Sequence, residues 1–331
     1  MKDKKLTMGD IAKIAEVGKS TVSRYFNGGY VKEETRIKLK KIIDEYHYEP
    51  NAIAQSLKAK YSKTIGIVVP CLDSITTSRV LMAMDDDLKN QGYTSIIMNT
   101  NHDELRELTS IEQLSRMNVD GIILMATHVT MAHQKIASKL DIPLLFVAQK
   151  YALGYSIVNN DYQAGYDIGT YGATRGHKKV CYIGVSQKDE AVGIERKRGV
   201  VTGLKEHGAE MVDILEADFS FKKAYQKTLS YLDIKHPTLI ICATDNIALG
   251  CLKAIQEKGL SVPEDISLMG FGGYEISSYM APSLTTVRFD NEKTGQLASQ
   301  TIVHLIEEKP VEQLQFIDYQ INEGKSVKDI R

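Results

Sequence analysis

Lys19, Ser20, Thr21 and Arg24 have the types and spacing to hold a polyanion and to read hydrogen-bonding edges. An ammonium, two hydroxyls and a guanidinium on one short segment supply binding chemistry, with no nucleophile and base paired among them. The same stretch imitates a second chemistry, because Gly18-Lys19-Ser20-Thr21 resembles the end of a phosphate-binding P-loop. That loop needs a glycine five residues before Gly18, where this chain has Lys13, and no strand precedes it, so nucleotide binding is set aside. Further on, Asp73 and Ser74 follow the apolar run 65–69 and Pro70, and Asp245 follows the run 239–242. Polar groups just past a strand's end can accept a ligand's hydroxyls, although Asp245 can equally cap the next helix. Cys71, Cys181, Cys242 and Cys251 lie in or beside apolar stretches, with no C-x-x-C spacing and no companion histidine. We expect reduced, mostly buried thiols and no metal site. No Ser-His-Asp order or carboxylate pair can be assembled, so the expectation is a binding protein with no cofactor, and not an enzyme.

The elements that must position these residues follow from periodicity. Thr7 to Phe26 reads as helix, tight turn, helix: the first helix over 8–15, burying Met8, Ile11, Ala12, Ile14 and Ala15, with Gly18 giving the turn its backbone freedom. The second helix starts at Lys19. After Gly28-Gly29, Lys32-Glu33-Glu34-Thr35 opens a third helix to about His47, with Ile37, Leu39, Ile42 and Ile43 as its buried positions. Pro50 ends this head, and Asn51 can cap a short helix over 52–58 that is too brief to be stable alone in water. From Thr64 onward, apolar runs of strand length alternate with amphipathic stretches of helix length, the pattern of parallel strands with crossover helices. Strands are expected at 65–69, 95–98, 121–125, 144–147, 180–183, 212–215, 239–242 and 266–270. Helices are expected at 80–90, 105–117, 161–174, 196–207, 222–232 and 246–258. The strands fall into two groups parted near 155–161, which implies two similar α/β subdomains joined by crossover strands, with a ligand cleft between them.

The 331 residues, 43% of them hydrophobic, suffice for a large core. The net charge of −1 hides a polarity: residues 1–63 hold 14 Lys or Arg against 8 Asp or Glu, and the rest hold 27 against 34. A head of charge +6 on a body of charge −7 fits a nucleic-acid-binding module carried by something that avoids nucleic acid. No apolar run reaches bilayer length, and Met-Lys-Asp-Lys-Lys opens no secretion signal, so a cytoplasmic protein without membrane contact is expected.

Nine phrases in order make the chain resemble the LacI/GalR family of bacterial transcription repressors. They are Asp10-Ile11-Ala12, Ser20-Thr21-Val22-Ser23-Arg24, Tyr48-Glu49-Pro50-Asn51, Ala54-Gln55-Ser56-Leu57, Ile65-Gly66-Ile67-Val68-Val69-Pro70, Val119-Asp120-Gly121-Ile122-Ile123, Arg175-Gly176-His177-Lys178-Lys179-Val180, Thr244-Asp245-Asn246-Ile247-Ala248-Leu249-Gly250 and Pro282-Ser283-Leu284-Thr285-Thr286-Val287. Within the family it is most similar to sucrose-type operon repressors. The resemblance implies an α/β chain with an all-α helix-turn-helix head over 1–50, a hinge helix and linker over 51–63, and a body over 64–331. That body is two-lobed and periplasmic-binding-protein-like, with parallel sheets, and binds effector and a second copy. It also implies that Lys19, Ser20 and Arg24 read base edges in the major groove and that Thr7, Thr21, Ser23 and Asn51 contact phosphates. In the segment that includes Ala54, Leu57 of each copy enters the minor groove as an apolar wedge.

For the effector cleft, the resemblance points to Arg196, whose donor fork suits vicinal hydroxyls or a carboxylate, and to Phe219, at a position where family members stack an aromatic ring. A surface-helix arginine and a core phenylalanine are the plain alternatives. Asp73, Ser74 and Asp245 join them. Two departures stand out: Gly272-Gly273 replaces an Asp-Asp pair common in relatives, and Ala148-Gln149 replaces an Asp-Arg pair. Both remove acidic hydroxyl-binding groups, and Gly272 with Gly273 either frees volume for a disaccharide or simply makes a turn. His177 falls in a phrase that is structural in the family. The resulting expectation is a homodimer on operator DNA, released by a sugar or sugar-phosphate effector. A corepressor-dependent global carbon regulator, and a sugar receptor or enzyme on the same fold, are the rivals.

Overall fold

The computed structural model describes residues 6–26, 28–48 and 61–331. It divides into two compact units, Met1–Lys63 and Thr64–Arg331.

In the first unit, α1 (Met8–Ile14), α2 (Lys19–Phe26) and α3 (Glu33–Glu45) enclose Ile11, Ala12, Ala15, Val22, Leu39, Ile42 and Tyr48. Thr7 opens α1 with a capping box, its hydroxyl and backbone engaging the Asp10 carboxylate while Asp10 N–H donates back. Two of the expected core residues lie outside the core. Ile14 is 38% exposed because it flanks the stripe made by Ile11, Ala12 and Ala15. Ile37 is 62% exposed, since at roughly 100° per residue it points away from Leu39 and Ile42. The turn also takes its left-handed residue elsewhere: Glu16 has φ 54°, whereas Gly18 carries no positive φ and accepts from Thr21 N–H at 2.8 Å at the start of α2.

The second unit holds two six-stranded sheets. The first lobe orders its strands β11-β5-β4-β3-β1-β2, from β1 (Thr64–Val69), β2 (Thr94–Asn99), β3 (Gly121–Met125), β4 (Leu144–Val147), β5 (Tyr155–Asn159) and β11 (Leu314–Ile317), all parallel. The second orders β12-β10-β9-β8-β6-β7, from β6 (Lys179–Gly184), β7 (Met211–Glu216), β8 (Leu239–Cys242), β9 (Ser267–Phe271), β10 (Thr285–Phe289) and β12 (Tyr319–Asn322), with β12 alone antiparallel. Central strands β3, β4, β8 and β9 are buried at every position, as expected where helices cover both faces. Those helices are α4 (Ile75–Asn90), α5 (Glu104–Arg116), α6 (Met131–Ala137), α7 (Asp161–Ala173), α8 (Lys197–Glu206), α9 (Phe221–Leu232), α10 (Asp245–Glu257), α11 (Glu275–Tyr279) and α12 (Asn291–Ile306).

The stretch expected to part the lobes is itself strand β5, interior to the first sheet. The chain passes between lobes after β5, after β10 and between β11 and β12. Strands β10, β11 and β12 were not anticipated. A seam of glycines locks α7 to α8: a Cβ on Gly165 would lie 2.3 Å from Arg196 O, and one on Gly199 would lie 2.0 Å from Tyr162 O. Only hydrogen fits there, so the two backbones touch. Among the described residues no helix is long and apolar enough to cross a membrane.

Candidate functional site

Two surfaces carry the expected chemistry. On the head, α2 buries Val22 alone and turns Lys19, Ser20 and Arg24 outward as exposed residues, with Thr21 and Ser23 half-buried on its flanks. Arg24 folds its Nε back to Ser20 O at 3.4 Å, and Gly29 packs against its alkyl stem. The basic residues therefore stand on a helix face that protein does not cover in this unit, the arrangement a recognition helix needs. Thr7 uses its hydroxyl to cap α1. Asn51, Ala54 and Leu57 lie outside the described residues.

The second surface is the cleft where the C-terminal strand ends of the two lobes face each other. A seven-residue π-helix, Glu190–Arg196, leads into α8 and delivers Arg196, 6% exposed, beneath the ends of β6 and β8. Wide helical turns of this kind concentrate at functional sites. The Arg196 guanidinium donates to Asp161 Oδ1 through Nε at 2.8 Å and Nη2 at 2.5 Å, and to Ala243 O through Nη1 at 2.6 Å. It also lies over the Phe271 ring at 4.7 Å. Asp161 begins α7, so the glycine seam between α7 and α8 holds the pair together. Burial pushes the Asp161 carboxyl up to about 6, with Arg196 pulling the other way, and at neutral pH the pair is ionised. Tyr182, on β6, is fully buried in the same electrostatic neighbourhood, and its hydroxyl has no hydrogen-bond partner among the described residues.

Asp245 is present at the expected strand end, but its carboxylate is already occupied. Oδ1 accepts from Thr286 Oγ1 at 2.6 Å; Oδ2 accepts from Ser277 Oγ at 2.7 Å and from Tyr274 N–H at 3.0 Å. Burial raises its pKa and these donors offset the rise, so Asp245 anchors the 272–277 segment instead of facing a ligand with free lone pairs. Ser74 caps α4 by accepting from Thr77 N–H, and Asp73 beside it is exposed. Phe219 is 38% exposed in the loop between β7 and α9. Gly272 has φ 142° and Gly273 φ 57°. The space a side chain would fill there is taken by the Tyr274 ring, 2.7 Å from a Gly272 Cβ, and by Arg288, 2.4 Å from a Gly273 Cβ. The pair is thus a turn, and the freed-volume reading loses its support.

Sequence reasoning missed the residues that span the cleft. Gln149, buried just past β4 in the first lobe, donates from Nε2 to Asp189 Oδ1 in the second at 2.9 Å, and its Oε1 accepts from Ala191 N–H at 3.2 Å. Its neighbour Ala148 sits at φ 74°, a strained conformation for a residue with a Cβ. Thr76 Oγ1 and Tyr274 OH form a second bridge at 3.2 Å. Gln149 was visible as a departure; nothing in the sequence marked Asp189. The three buried cysteines are free thiols, as expected, and Cys71 is half-buried. His177 is buried between Thr238 Oγ1 and Lys328 O, away from these groups, in a structural role.

Residues 7–51 match the bacterial regulatory proteins of the lacI family, and residues 170–327 match the periplasmic binding protein-like domain. The sucrose operon repressor of Staphylococcus xylosus is 34% identical over 312 residues, spanning 94% of this chain and 97% of that protein. The chain belongs to the lacI family. Another relative, the HTH-type transcriptional repressor PurR of Vibrio atlanticus, is 31% identical over 98% of this chain and 99% of its own length. Among solved structures, the Lac repressor dimer bound to operator and the anti-inducer ONPF superposes with a TM-score of 0.92 at 25% identity, covering 98% of this chain and all of that one. This lacI-family chain is accordingly a DNA-binding transcription repressor with a helix-turn-helix head.

Proposed function

We propose that this regulator represses a sugar-utilisation operon. Two copies pair through their bodies, two heads meet the paired half-sites of an operator, and a sugar or sugar phosphate in the cleft between lobes releases them. The observation that carries this reading is the exposed face of α2, with Lys19, Ser20 and Arg24 outward over buried Val22, in a chain 34% identical to a sucrose operon repressor. A guanidinium such as that of Arg24 can grip guanine in bidentate fashion. Leu57, with Asn51 and Ala54, supplies the minor-groove wedge that the family resemblance implies.

Pairing is supported by exposed apolar side chains, Met82 of α4 and Ile97 of edge strand β2 in one lobe and Tyr279 of α11 in the other, and by the dimeric state of the Lac repressor relative. The work is binding and not catalysis, as in the repressors it resembles, and it takes place where a bacterial chromosome lies, in the cytoplasm. Fluorescence anisotropy tests the reading. The chain should bind a palindromic operator roughly a thousandfold or more tighter than random duplex, lose affinity with rising salt, and release the operator when the right sugar is added. Equal affinity for palindrome and random duplex at moderate ionic strength would defeat it, and tighter binding with sugar would move the chain to the corepressor class.

A further inference from the structure

The cleft floor has a charge balance that selects among ligands. Its buried guanidinium, Arg196, is neutralised by Asp161. Asp189 is 8% exposed, and it accepts from Val192 N–H at 2.9 Å and from Gln149 Nε2 at 2.9 Å, with no cation bonded to it in the described residues. Asp245 is a second carboxylate, held by hydroxyls and an amide. The cations Arg79 and Arg288 line a groove of about 390 Å³ together with Asp86, Asp87, Asp290 and Glu292, and a second of about 490 Å³ together with Tyr274, Ser277 and Thr286, the residues that bond Asp245. Asp189 thus stands as a buried carboxylate with no bonded cation, and near it lies the buried hydroxyl of Tyr182, which has no hydrogen-bond partner among the described residues. A buried hydroxyl without a partner is what a bound ligand or an ordered water satisfies.

Across this floor, the Gln149 carboxamide engages the opposite lobe with one N–H as donor and with its oxygen as acceptor. A vicinal diol offers the same pair: one oxygen accepts from Ala191 N–H while the other hydroxyl donates to Asp189 Oδ1. A phosphoryl group set in that place brings negative charge against Asp189, which has no bonded cation among the described residues to offset it. We propose that Gln149 is the specificity-determining latch of this regulator: its carboxamide ties the two lobes together across the cleft, and the ligand that displaces it is a neutral polyhydroxyl compound, not a phosphorylated one. This rests on the sugar-responsive reading above. It departs from it by excluding the phosphorylated class and by making ligand entry a competition with a side chain of the protein itself.

The full-length chain tests both parts. Calorimetric titration would compare sucrose, fructose and glucose with their 6-phosphates. The expected result is a neutral sugar at least tenfold tighter than its phosphate, tightened further by about fivefold in Gln149→Ala, because two hydrogen bonds no longer compete. A phosphate that binds better than its parent sugar overturns the proposal, as does a neutral sugar that binds Gln149→Ala more weakly. Without ligand, amide hydrogen exchange over residues 186–196 should quicken about tenfold in Gln149→Ala. It should quicken more in Gln149→Glu, which sets a second carboxylate against Asp189, while a circular dichroism spectrum like the parent's shows that both variants are folded. Exchange unchanged in both variants overturns the latch whatever binds. If no sugar binds the parent, the sugar reading of the preceding section fails, and the exchange measurement alone decides the latch.

Discussion

The head and the second lobe place their functional groups in opposite ways. On α2, Lys19, Ser20 and Arg24 face solvent and bond to little, and the helix is held by one buried residue, Val22. In the second lobe, Arg196, Asp161, Asp189 and Asp245 are nearly all buried and each is already bonded to protein. A surface that must meet a large charged duplex gains by leaving its donors free until contact. A site for a small ligand gains by fixing its polar groups beforehand, at the cost that they become part of the core. Head residues should therefore be separable from folding, and lobe residues should not.

The sharpest break of that contrast would come from Arg196→Ala, which strands the Asp161 carboxylate in the interior. Removing one partner of a buried pair costs roughly 3 to 5 kcal/mol, so thermal unfolding of the body should fall steeply; an unchanged melting temperature would put Arg196 in the same class as Arg24. Next, Gly199→Ala places a methyl 2.0 Å from Tyr162 O and should cost about 1 to 3 kcal/mol by forcing α7 and α8 apart, seen in denaturant titration. Arg24→Ala should leave both unfolding measurements where they are while removing about 1 to 3 kcal/mol of discrimination between operator and altered operator by anisotropy.

The smallest effect concerns His177. Burial lowers its pKa below the usual 6.5, the carbonyl of Lys328 opposing, so near neutral pH the folded ring is neutral and Nε2 donates to that carbonyl. Between the depressed value and 6.5 the unfolded chain binds the extra proton. The stability this group contributes is complete above pH 6.5 and drains away as pH falls. The parent should thus lose more stability than His177→Gln between pH 7 and pH 5 in melts across pH; parallel curves would count against it.

Those same two regions differ in how much the sequence discloses. The head's readers are local: three residues on one helix, next to a turn, with a charge surplus around them. Most strands were equally plain, because a strand buried on both faces is an uninterrupted apolar run, as in Leu144-Leu145-Phe146-Val147. Strands that escaped lack that run. β5 reads Tyr-Ser-Ile-Val-Asn, β10 carries the exposed Arg288, and the outer strands β11 and β12 are four residues each with a glutamine breaking the apolar run. The cleft was the least legible part, since its contacts join residues far apart in sequence: Asp161 to Arg196 across 35 positions, Gln149 to Asp189 across 40, and Arg196 to Ala243 across 47. A motif can nominate Arg196, but only packing shows that its fork is filled by Asp161.

The glycine seam has a bearing on how such a receptor can be re-aimed at new ligands. With Gly165, Gly169, Gly199 and Gly203 each leaving no room for a Cβ, the scaffold behind Arg196 tolerates no graft and offers no slack for its guanidinium to swing toward a newcomer. Variation is left to the loops after β1 and β4 in the other lobe and to the 217–220 segment beyond β7, where Asp73, Gln149 and Phe219 stand. A library built there would sample ligand shapes against an immobile ion pair, whereas one built on the α7 and α8 glycines would spend its members on destabilised chains.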